Sequence, residues 1–296
     1  MNLEGLTINM NELPLVSILM AAYNREVFVR EAIESVIIST YKNWELIIVD
    51  DCSTDKTFEI AKEYEIKDSR IKLYKNEKNL GQFENRNKTA GYAKGKYLKY
   101  LDSDDAIFPW GIEYCVQEME KYPEANIGML YLGKKKLTNS IVMSSEDVIR
   151  NHYFDGSILG IGPSGCIFKR LAFESYEGFD AKFDLAADNF LNIQMAISSP
   201  VVLLTEVFFK YRMHEGQAFI EKDMIIYSYL YNKDLYESGQ LPLKAEELLY
   251  LRKKLEKRQL VNLIKYFFKS KSLKGLVEVV EKTKYKWWNG YKYIFY

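Results

Sequence analysis

The chain has 296 residues, of which 48% are hydrophobic, so it is long enough to bury a substantial core. Its 41 Lys and Arg residues balance 41 Asp and Glu residues, so net charge gives no reason to expect a nucleic-acid partner. Three widely separated cysteines exclude a disulfide scaffold and a Cys-x-x-Cys zinc site. The first 13 residues do not resemble a signal peptide, and no apolar run reaches the roughly 18 residues of a membrane span, so we expect a cytoplasmic protein.

The first half of the chain is predicted to alternate strands and helices. Continuous or alternating apolar runs predict strands at residues 16–22, 44–49, 71–74, 97–101 and 127–132. Apolar residues at helical spacing predict helices at residues 28–38, 56–64, 82–93 and 110–121. This alternation indicates an α/β fold with a mostly parallel, doubly wound sheet, in which ligands bind at the carboxyl ends of the strands.

Polar residues follow three of these predicted strands. They are residues 21–24 after the first strand, 50–51 after the second and 102–105 after the fourth. Carboxylates this close together repel one another unless a cation lies among them, and Mg²⁺-like ions are held by one or two carboxylates plus substrate phosphates. A solvated acidic turn is the alternative, but it does not explain why three clusters should meet at one edge.

No glycine-rich phosphate loop of the dinucleotide-binding or P-loop type is present. Phosphates would therefore be neutralised by a metal ion and by side chains such as Arg86. The sequence thus predicts a site for a metal-bound phosphate ligand at the edge of the sheet.

The second half of the chain has a weaker pattern. Residues 133–160 predict loops with a short helix, and further strands are predicted at residues 166–168, 201–204 and 208–213. Asp188 falls in the first turn of a predicted helix at 186–197, where pairing with the helix dipole would be its ordinary role. His214 is one of two histidines, and both a structural role and metal ligation are open for it.

The region from residue 216 onward is predicted to be a helical extension. Residues 252–296 contain 13 Lys or Arg against 3 Glu and end in a stretch that mixes lysines with Trp, Tyr and Phe. Such a stretch suits an anionic membrane surface, or else a helical hairpin that packs its aromatic rings on the rest of the protein. Single-stranded nucleic acid would use the same chemistry, but no nucleic-acid-binding module accompanies the stretch, so we expect no such partner.

Four motifs resemble the successive signatures of glycosyltransferase family 2, in the family's order. They are the segments at 16–24 (VSILMAAYN), 47–55 (IIVDDCSTD), 79–87 (NLG with the later Arg-Asn pair) and 101–105 (LDSDD). The resemblance implies a GT-A (nucleotide-diphospho-sugar transferase) fold, a nucleotide-sugar donor and inversion at the anomeric carbon.

The resemblance also implies a division of the chain into domains. Residues 14–215 would form the catalytic domain, with a nucleotide-binding half at 14–132 and an acceptor half at 133–215. Residues 216–296 would form the helical extension.

The resemblance assigns roles to individual residues. The residues expected to bind the UDP-sugar are Ala21, Tyr23, Asp50, Asp51, Asn79, Arg86, Asp102 and Ser103. Ala21 and Tyr23 would line the base pocket, and Asp51 would accept a hydrogen bond from uracil. Mn²⁺ or Mg²⁺ would be bound by Asp104 or Asp105, joined by His214, which ends a segment that resembles the family's Tyr-Arg-x-His.

The family's catalytic base lies in a Glu-Asp pair at the start of a later helix. The corresponding residues here are Ala187 and Asp188, so the aspartate of the pair is present and the glutamate is not. In an inverting, in-line displacement a single carboxylate suffices to take the proton from the acceptor hydroxyl, and the metal offsets charge on the leaving diphosphate. Asp188 is therefore the expected base.

The predicted function is inverting transfer of a sugar from UDP to a hydroxyl of a glycan, with a lipid-linked acceptor of surface polysaccharide synthesis expected at the inner face of the membrane. The sequence allows either a monomer or an oligomer.

Two other functions are alternatives to sugar transfer. A sugar-nucleotide pyrophosphorylase would carry an early glycine-rich basic loop, which residues 23–26 are not. A non-catalytic protein would bind a membrane or a nucleic acid through its tail.

Overall fold

The computed structural model describes residues 13–214 and 221–292. The strands within these ranges are β1 Val16–Ala22, β2 Trp44–Asp50, β3 Ile71–Lys75, β4 Tyr97–Tyr100, β5 Ala106–Ile107, β6 Ile127–Leu130, β7 Ile141–Met143, β8 Cys166–Lys169, β9 Val201–Leu204 and β10 Phe209–Lys210. The helices are α1 Val29–Ile37, α2 Thr57–Lys67, α3 Gln82–Ala90, α4 Gly111–Glu120, α5 Ser145–Arg150, α6 Arg170–Ser175, α7 Ala187–Ser198, α8 Glu221–Glu237, α9 Ala245–Ser270, α10 Leu273–Thr283 and α11 Trp287–Tyr291.

Eight strands form one central sheet in the order β3-β2-β1-β4-β8-β6-β9-β7. Strands β1 to β4 run parallel to one another, and β6 is parallel to β9. Strand β8 runs antiparallel to both β4 and β6, and β7 runs antiparallel to β9. The sheet is therefore parallel from β3 to β4 and mixed from β8 onward.

The central strand β1 shows why this sequence forms a buried sheet. Its apolar side chains alternate between the two faces, so Leu19 joins one hydrophobic cluster while Ile18 and Met20 join the other. The buried hydroxyl of Ser17 donates to Glu45 Oε1 (2.6 Å) and accepts from the backbone amide of Gly95 (2.8 Å). Helices cover both faces, as the continuous apolar run of a parallel strand requires.

Two predicted element boundaries were wrong. Helix α4 runs from Gly111 to Glu120, one residue shorter at each end than the predicted range of 110–121. The strand predicted at 208–213 is only the two-residue β10, which pairs antiparallel with β5 directly after the acidic motif. Because β10 ends early, residues 211–214 continue as a loop that returns to the acidic residues.

The four C-terminal helices pack on the sheet domain. Buried side chains of α8 and α9, among them Tyr231, Leu235 and Leu255, belong to the same cluster as the sheet face and α7. A smaller cluster between α8, α9 and α10 includes Ile226 and Val279. In the part of the chain that the structure describes, no helix has the length and hydrophobicity of a membrane span.

Candidate active site

A cleft of about 590 Å³ opens at the carboxyl ends of β1, β2 and β4. Asp104 lines this cleft, as do seven of the eight residues expected to bind the donor. The seven are Ala21, Tyr23, Asp51, Asn79, Arg86, Asp102 and Ser103. Asp50 is the exception, because its fully buried carboxylate accepts a hydrogen bond from the Ser53 amide (3.0 Å). The three polar clusters therefore meet at one edge of the sheet, as the alternation of strands and helices predicted.

The loops that follow β1 and β2 are held together by reciprocal hydrogen bonds. Asn24 has a left-handed backbone conformation (φ 51°), and its amide donates to Ser53 Oγ (3.0 Å) while its side-chain oxygen accepts from the Thr54 amide (2.9 Å). Asp55 accepts from the amides of Glu26 (3.0 Å) and Thr57 (2.9 Å). Asp55 directly precedes Lys56, which occupies the N-cap position of α2.

Asp51 anchors the loop that forms one side of the cleft. Its carboxylate accepts from Asn76 Nδ2 (2.7 Å) and from the amides of Leu80 (2.9 Å) and Gly81 (2.9 Å). Gly81 has φ +87°, a backbone conformation that favours glycine. Sequence reasoning missed Asn76, which is almost fully buried and holds Asp51 in place.

Arg86 and Asp102 form an ion pair in the cleft. The guanidinium of Arg86 lies 2.7 Å from Asp102 Oδ1. Burial alone would raise the pKa of Asp102, but the charge and hydrogen bond of Arg86 lower it below its ordinary value. The amide of Asp102 donates to Ser164 Oγ (2.9 Å), so Asp102 is both ionised and oriented.

The next two aspartates have different surroundings. Asp104 faces the cleft, and its Oδ2 lies 2.9 Å from Arg25 Nε and 2.9 Å from His214 Nε2. Asp105 is buried, and its Oδ1 accepts from the Arg212 amide (3.0 Å), which ties the 211–214 loop to the acidic motif. Burial raises the pKa of Asp105 to about 6, and its Oδ2 has no hydrogen-bond partner among the described residues.

The groups around Asp104 can contribute to a divalent-cation site but do not form one alone. No group of three or more His, Cys, Asp or Glu residues in the described ranges could hold a metal by itself. Asp104 Oδ2 and His214 Nε2 are adjacent at hydrogen-bond distance (2.9 Å), and a carboxylate oxygen and an imidazole nitrogen are both ligand types for a divalent cation. Substrate phosphates and water would have to complete such a site.

Arg25 is a second residue that sequence reasoning missed. It follows β1 directly, and its guanidinium contacts the same oxygen of Asp104 that faces His214. Its side chain also donates to the Tyr23 carbonyl (3.2 Å). A basic residue among polar strand-end residues was the available signal, but its partner lies 79 positions away.

Asp188 lies in the first turn of α7, as predicted, beyond the Arg86–Asp102 pair. Its Oδ1 accepts from the Asn189 amide (2.7 Å). Burial raises the pKa of Asp188 to about 6, while the nearby charge of Arg86 acts in the opposite direction. At neutral pH the group is therefore an ionised carboxylate of unusually high basicity, which is the property a general base needs.

Lys99 is the third residue that sequence reasoning missed. Its fully buried amine donates to the carbonyls of Ser164 (2.5 Å) and Tyr100 (2.7 Å), and burial lowers its pKa. Ser164 in turn accepts from the Asp102 amide. A lysine inside an otherwise apolar strand was the signal, and its role is to join the end of β4 to the turn beside Asp102.

The family profile described as Glycosyl transferase family 2 matches residues 17–176, which is more than half of the chain. The chain belongs to glycosyltransferase family 2. Among the relatives of this family 2 chain, the Escherichia coli protein named UDP-Glc:alpha-D-GlcNAc-diphosphoundecaprenol beta-1,3-glucosyltransferase WfgD is 39% identical over 130 residues. That match covers 44% of this chain and 49% of WfgD. Five curated relatives are each matched over only 35–49% of their own length.

Solved structures confirm the GT-A fold of this family 2 member. The crystal structure of S. aureus TarS 1-349 in complex with UDP-GlcNAc superposes with a TM-score of 0.64 at 16% identity, covering 91% of both chains. The mannosyltransferase PcManGT of Pyrobaculum calidifontis, in complex with GDP-Man and Mn²⁺, gives a TM-score of 0.64 at 15% identity over 97% of this chain and 86% of that one. At these identities the likeness concerns the fold alone.

Proposed function

We propose that the chain is a metal-dependent inverting glycosyltransferase that moves a sugar from a UDP-sugar to a hydroxyl of a glycan acceptor. The observation that carries this proposal is the meeting of Asp102, Asp104 and Arg86 in one cleft, with Asp188 just beyond them. The cleft volume of about 590 Å³ lies within the range of sites for small ligands, roughly 300–1,000 Å³.

The donor roles proposed here are those that the family resemblance implies, and each of these residues lines the cleft. Tyr23 and Asp51 would contact the base, Asp102 would contact the ribose, and Arg86 would contact the base or the phosphates. UDP is proposed as the nucleotide because the names of WfgD and of the TarS complex both contain it.

Asp104 and His214 would hold Mn²⁺ or Mg²⁺ together with the donor's diphosphate. Once bound, the ion would offset the negative charge that develops on the leaving UDP. Arg25 would neutralise Asp104 before the donor arrives, because its guanidinium is 2.9 Å from that carboxylate. Asp105 is buried and positions the 211–214 loop, so we assign direct metal ligation to Asp104.

Asp188 would act as the general base. A carboxyl with a pKa of about 6 is ionised at pH 7 and still accepts a proton more readily than an ordinary aspartate. Inversion needs a single displacement and no protein nucleophile. Asp188 is therefore sufficient, and the acceptor would approach from the side of α7.

The proposed acceptor is a lipid-linked glycan, and the proposed role of the C-terminal helices is to contact the membrane. A lipid-linked glycan is proposed because the name of WfgD contains a diphosphoundecaprenol acceptor. Trp287, Trp288 and Tyr291 are exposed beside Lys284 and Lys286, a combination that suits an anionic membrane surface.

The proposed domains are a catalytic domain at 14–215, with a nucleotide-binding half at 14–132 and an acceptor half at 133–215, and a helical extension at 216–296.

The purified chain should be screened with a panel of UDP-sugars for release of UDP with and without Mn²⁺. We expect one UDP-sugar to be hydrolysed above background only when the divalent cation is present. If the folded protein consumes no UDP-sugar in any condition, the proposal is wrong. If it instead exchanges pyrophosphate with a nucleoside triphosphate, the pyrophosphorylase alternative is correct.

Membrane association is tested separately by sedimentation with anionic vesicles. Deletion of residues 284–296 should abolish co-sedimentation while UDP-sugar hydrolysis is retained. Loss of neither property would show that the tail packs on the protein without contacting lipid.

A further inference from the structure

A second cavity, of about 300 Å³, lies where the π-helical turn Asn151–Asp155 faces helices α8 and α9. We call it the basic cavity and define it by six of its lining residues: Lys134, Tyr153, Asp155, Asn232, Lys254 and Arg258. It shares no lining residue with the donor cleft. Single π-helical turns are uncommon and are frequently found at functional sites.

The charges of the basic cavity are unbalanced. Lys134, Lys254 and Arg258 are positive, and Asp155 is the one acidic residue of its lining. Lys254 donates to the Tyr153 carbonyl (2.6 Å), and within the described ranges Arg258 forms no ion pair or hydrogen bond. The four charged side chains are exposed to solvent, and their formal charges sum to +2.

The floor of the basic cavity contains polar groups without partners. The hydroxyl of Tyr153 is buried and makes no hydrogen bond within the described ranges, and the same holds for Asn232 Oδ1. Tyr153 is 6% exposed and Asn232 is 2% exposed. Buried hydroxyl and amide groups nearly always have a hydrogen-bond partner. The Tyr153 hydroxyl and Asn232 Oδ1 are therefore available to form hydrogen bonds with a ligand in the cavity.

The neighbouring His152 adds no charge to the cavity. Its Nδ1 accepts from the Leu159 amide (3.1 Å). Burial, together with the smaller effect of the Arg258 and Lys254 charges, lowers the pKa of His152 to about 3, so the ring is neutral at physiological pH.

The basic cavity and Asp188 share a neighbour. Tyr231 lines the cavity, and its pKa is raised by burial and, to a smaller extent, by the charge of Asp188. Helix α7, which carries Asp188 in its first turn, is tied to the segment after the π-helical turn, because Asn192 donates to the carbonyls of Leu159 (3.1 Å) and Ile161 (3.0 Å).

We propose that the basic cavity binds a phosphate or diphosphate group of the acceptor, an inference that rests on the proposed transferase function. Arg258 offers a planar pair of donors that matches phosphate oxygens, and Lys134 and Lys254 add charge. The Tyr153 hydroxyl would donate to a phosphate oxygen, and Asn232 Oδ1 would accept from a hydroxyl of the attached sugar. The acceptor class is thus a phosphorylated glycan, either water-soluble or lipid-linked.

Calorimetric titration with glycerol 3-phosphate, in EDTA and without UDP, tests this site, and the comparison of cavity variants with a control variant separates it from the donor cleft. Wild type should bind glycerol 3-phosphate but not glycerol. Arg258→Gln should weaken binding by about tenfold, and Tyr153→Phe by about threefold, because each removes phosphate donors. Lys265→Gln is the matched control, because it removes one exposed charge from the same helix outside the cavity and should change nothing.

A second arm distinguishes a soluble phosphate from one presented by a lipid. The same variants are sedimented with vesicles of phosphatidylcholine that contain or lack phosphatidic acid. Dependence on Arg258 in either arm supports the site, and the arm in which it appears identifies the source of the phosphate. If Arg258→Gln and Tyr153→Phe fold normally by thermal melting and match Lys265→Gln with both probes, the inference is overturned.

The outcome for the proposed function is read independently in the same experiment. UDP titrations of wild type and Arg258→Gln are run in Mn²⁺ and in EDTA, and the part of UDP binding that needs Mn²⁺ and is unchanged in Arg258→Gln reports on the donor cleft. Failure of UDP to bind would refute the transferase proposal, whereas binding of UDP without a phosphate effect would refute only the basic cavity.

Discussion

The donor cleft and the basic cavity differ in how their loops are held together, although both contain a buried atom without a partner in the described ranges, Asp105 Oδ2 on the donor side. In the donor cleft the carboxylate of Asp51 already accepts three hydrogen bonds, and Asn24 joins two loops. In the basic cavity the hydroxyl of Tyr153 has no partner within the described ranges. The donor side is therefore organised before any ligand binds, whereas the acceptor side would be completed by its ligand.

The difference follows from how each region is built. The donor cleft combines the ends of neighbouring parallel strands, so short polar motifs suffice to assemble it. The basic cavity combines a turn at 151–155 with helices that begin at 221 and 245, and its residues have no common motif. If this contrast is correct, variants on the donor side should affect chemistry and metal binding, and variants on the acceptor side should affect acceptor recognition.

The largest expected effect is that of Asp188→Asn. Removal of a general base should lower transfer by about 10²–10⁴-fold, while the affinity for UDP changes by less than about twofold. Initial rates and UDP calorimetry on the same preparation measure both. Asp184→Asn, four residues earlier in the same segment, is the matched control and should retain activity. If Asp188→Asn transferred sugar at the wild-type rate, Asp188 would not be the general base.

The second prediction compares the two adjacent aspartates. Asp104→Asn should weaken Mn²⁺-dependent UDP binding by at least about tenfold, because it removes a direct ligand of the ion. Asp105→Asn should have a much smaller effect, since an amide oxygen can still accept from the Arg212 amide. Titration of UDP at several Mn²⁺ concentrations separates the two. The reverse ranking would assign the metal to Asp105.

Much of the donor side could be predicted from the sequence because its chemistry lies directly after strands. The convergence of residues 21–24, 50–51 and 102–105 follows from strand order alone, although the roles of the individual side chains stay predictions. The contacts of Arg25 with Asp104 and of Lys99 with Ser164 could not be predicted, since the partners are 79 and 65 residues apart. The antiparallel direction of β8 could not be predicted either, because the sequence of a four-residue apolar strand does not indicate which way the strand runs in the sheet.

The third prediction concerns pH. If Asp188 must be ionised to act, kcat/KM should be constant above about pH 6 and fall by about tenfold per unit below it, because its pKa is raised to about 6. The control is UDP affinity over pH 5–7, which should not fall tenfold per unit below pH 6. A profile that stays flat down to pH 5 would indicate that another group takes the proton.

The smallest expected effect is on stability. The pKa of Asp188 is raised from 3.8 to about 6 on folding, so the folded state binds the proton more tightly than the unfolded state. The stability that this provides is complete below about pH 3.8 and is lost as pH rises through 6. Asp188→Asn should therefore raise the free energy of unfolding by about 1–3 kcal/mol at pH 7.5. Urea unfolding at pH 7.5 and pH 5 measures the gain, which should shrink at the lower pH.

The central claim is that the strand-end carboxylates bind a nucleoside diphosphate through a shared divalent cation. Calorimetric titration of the wild-type chain with UDP, in Mn²⁺ and again in EDTA, tests this claim most directly. We predict that UDP binds and that Mn²⁺ tightens binding by at least about tenfold, because the diphosphate completes the coordination that Asp104 and His214 begin. No measurable affinity in Mn²⁺, or the same affinity in EDTA, would contradict the account.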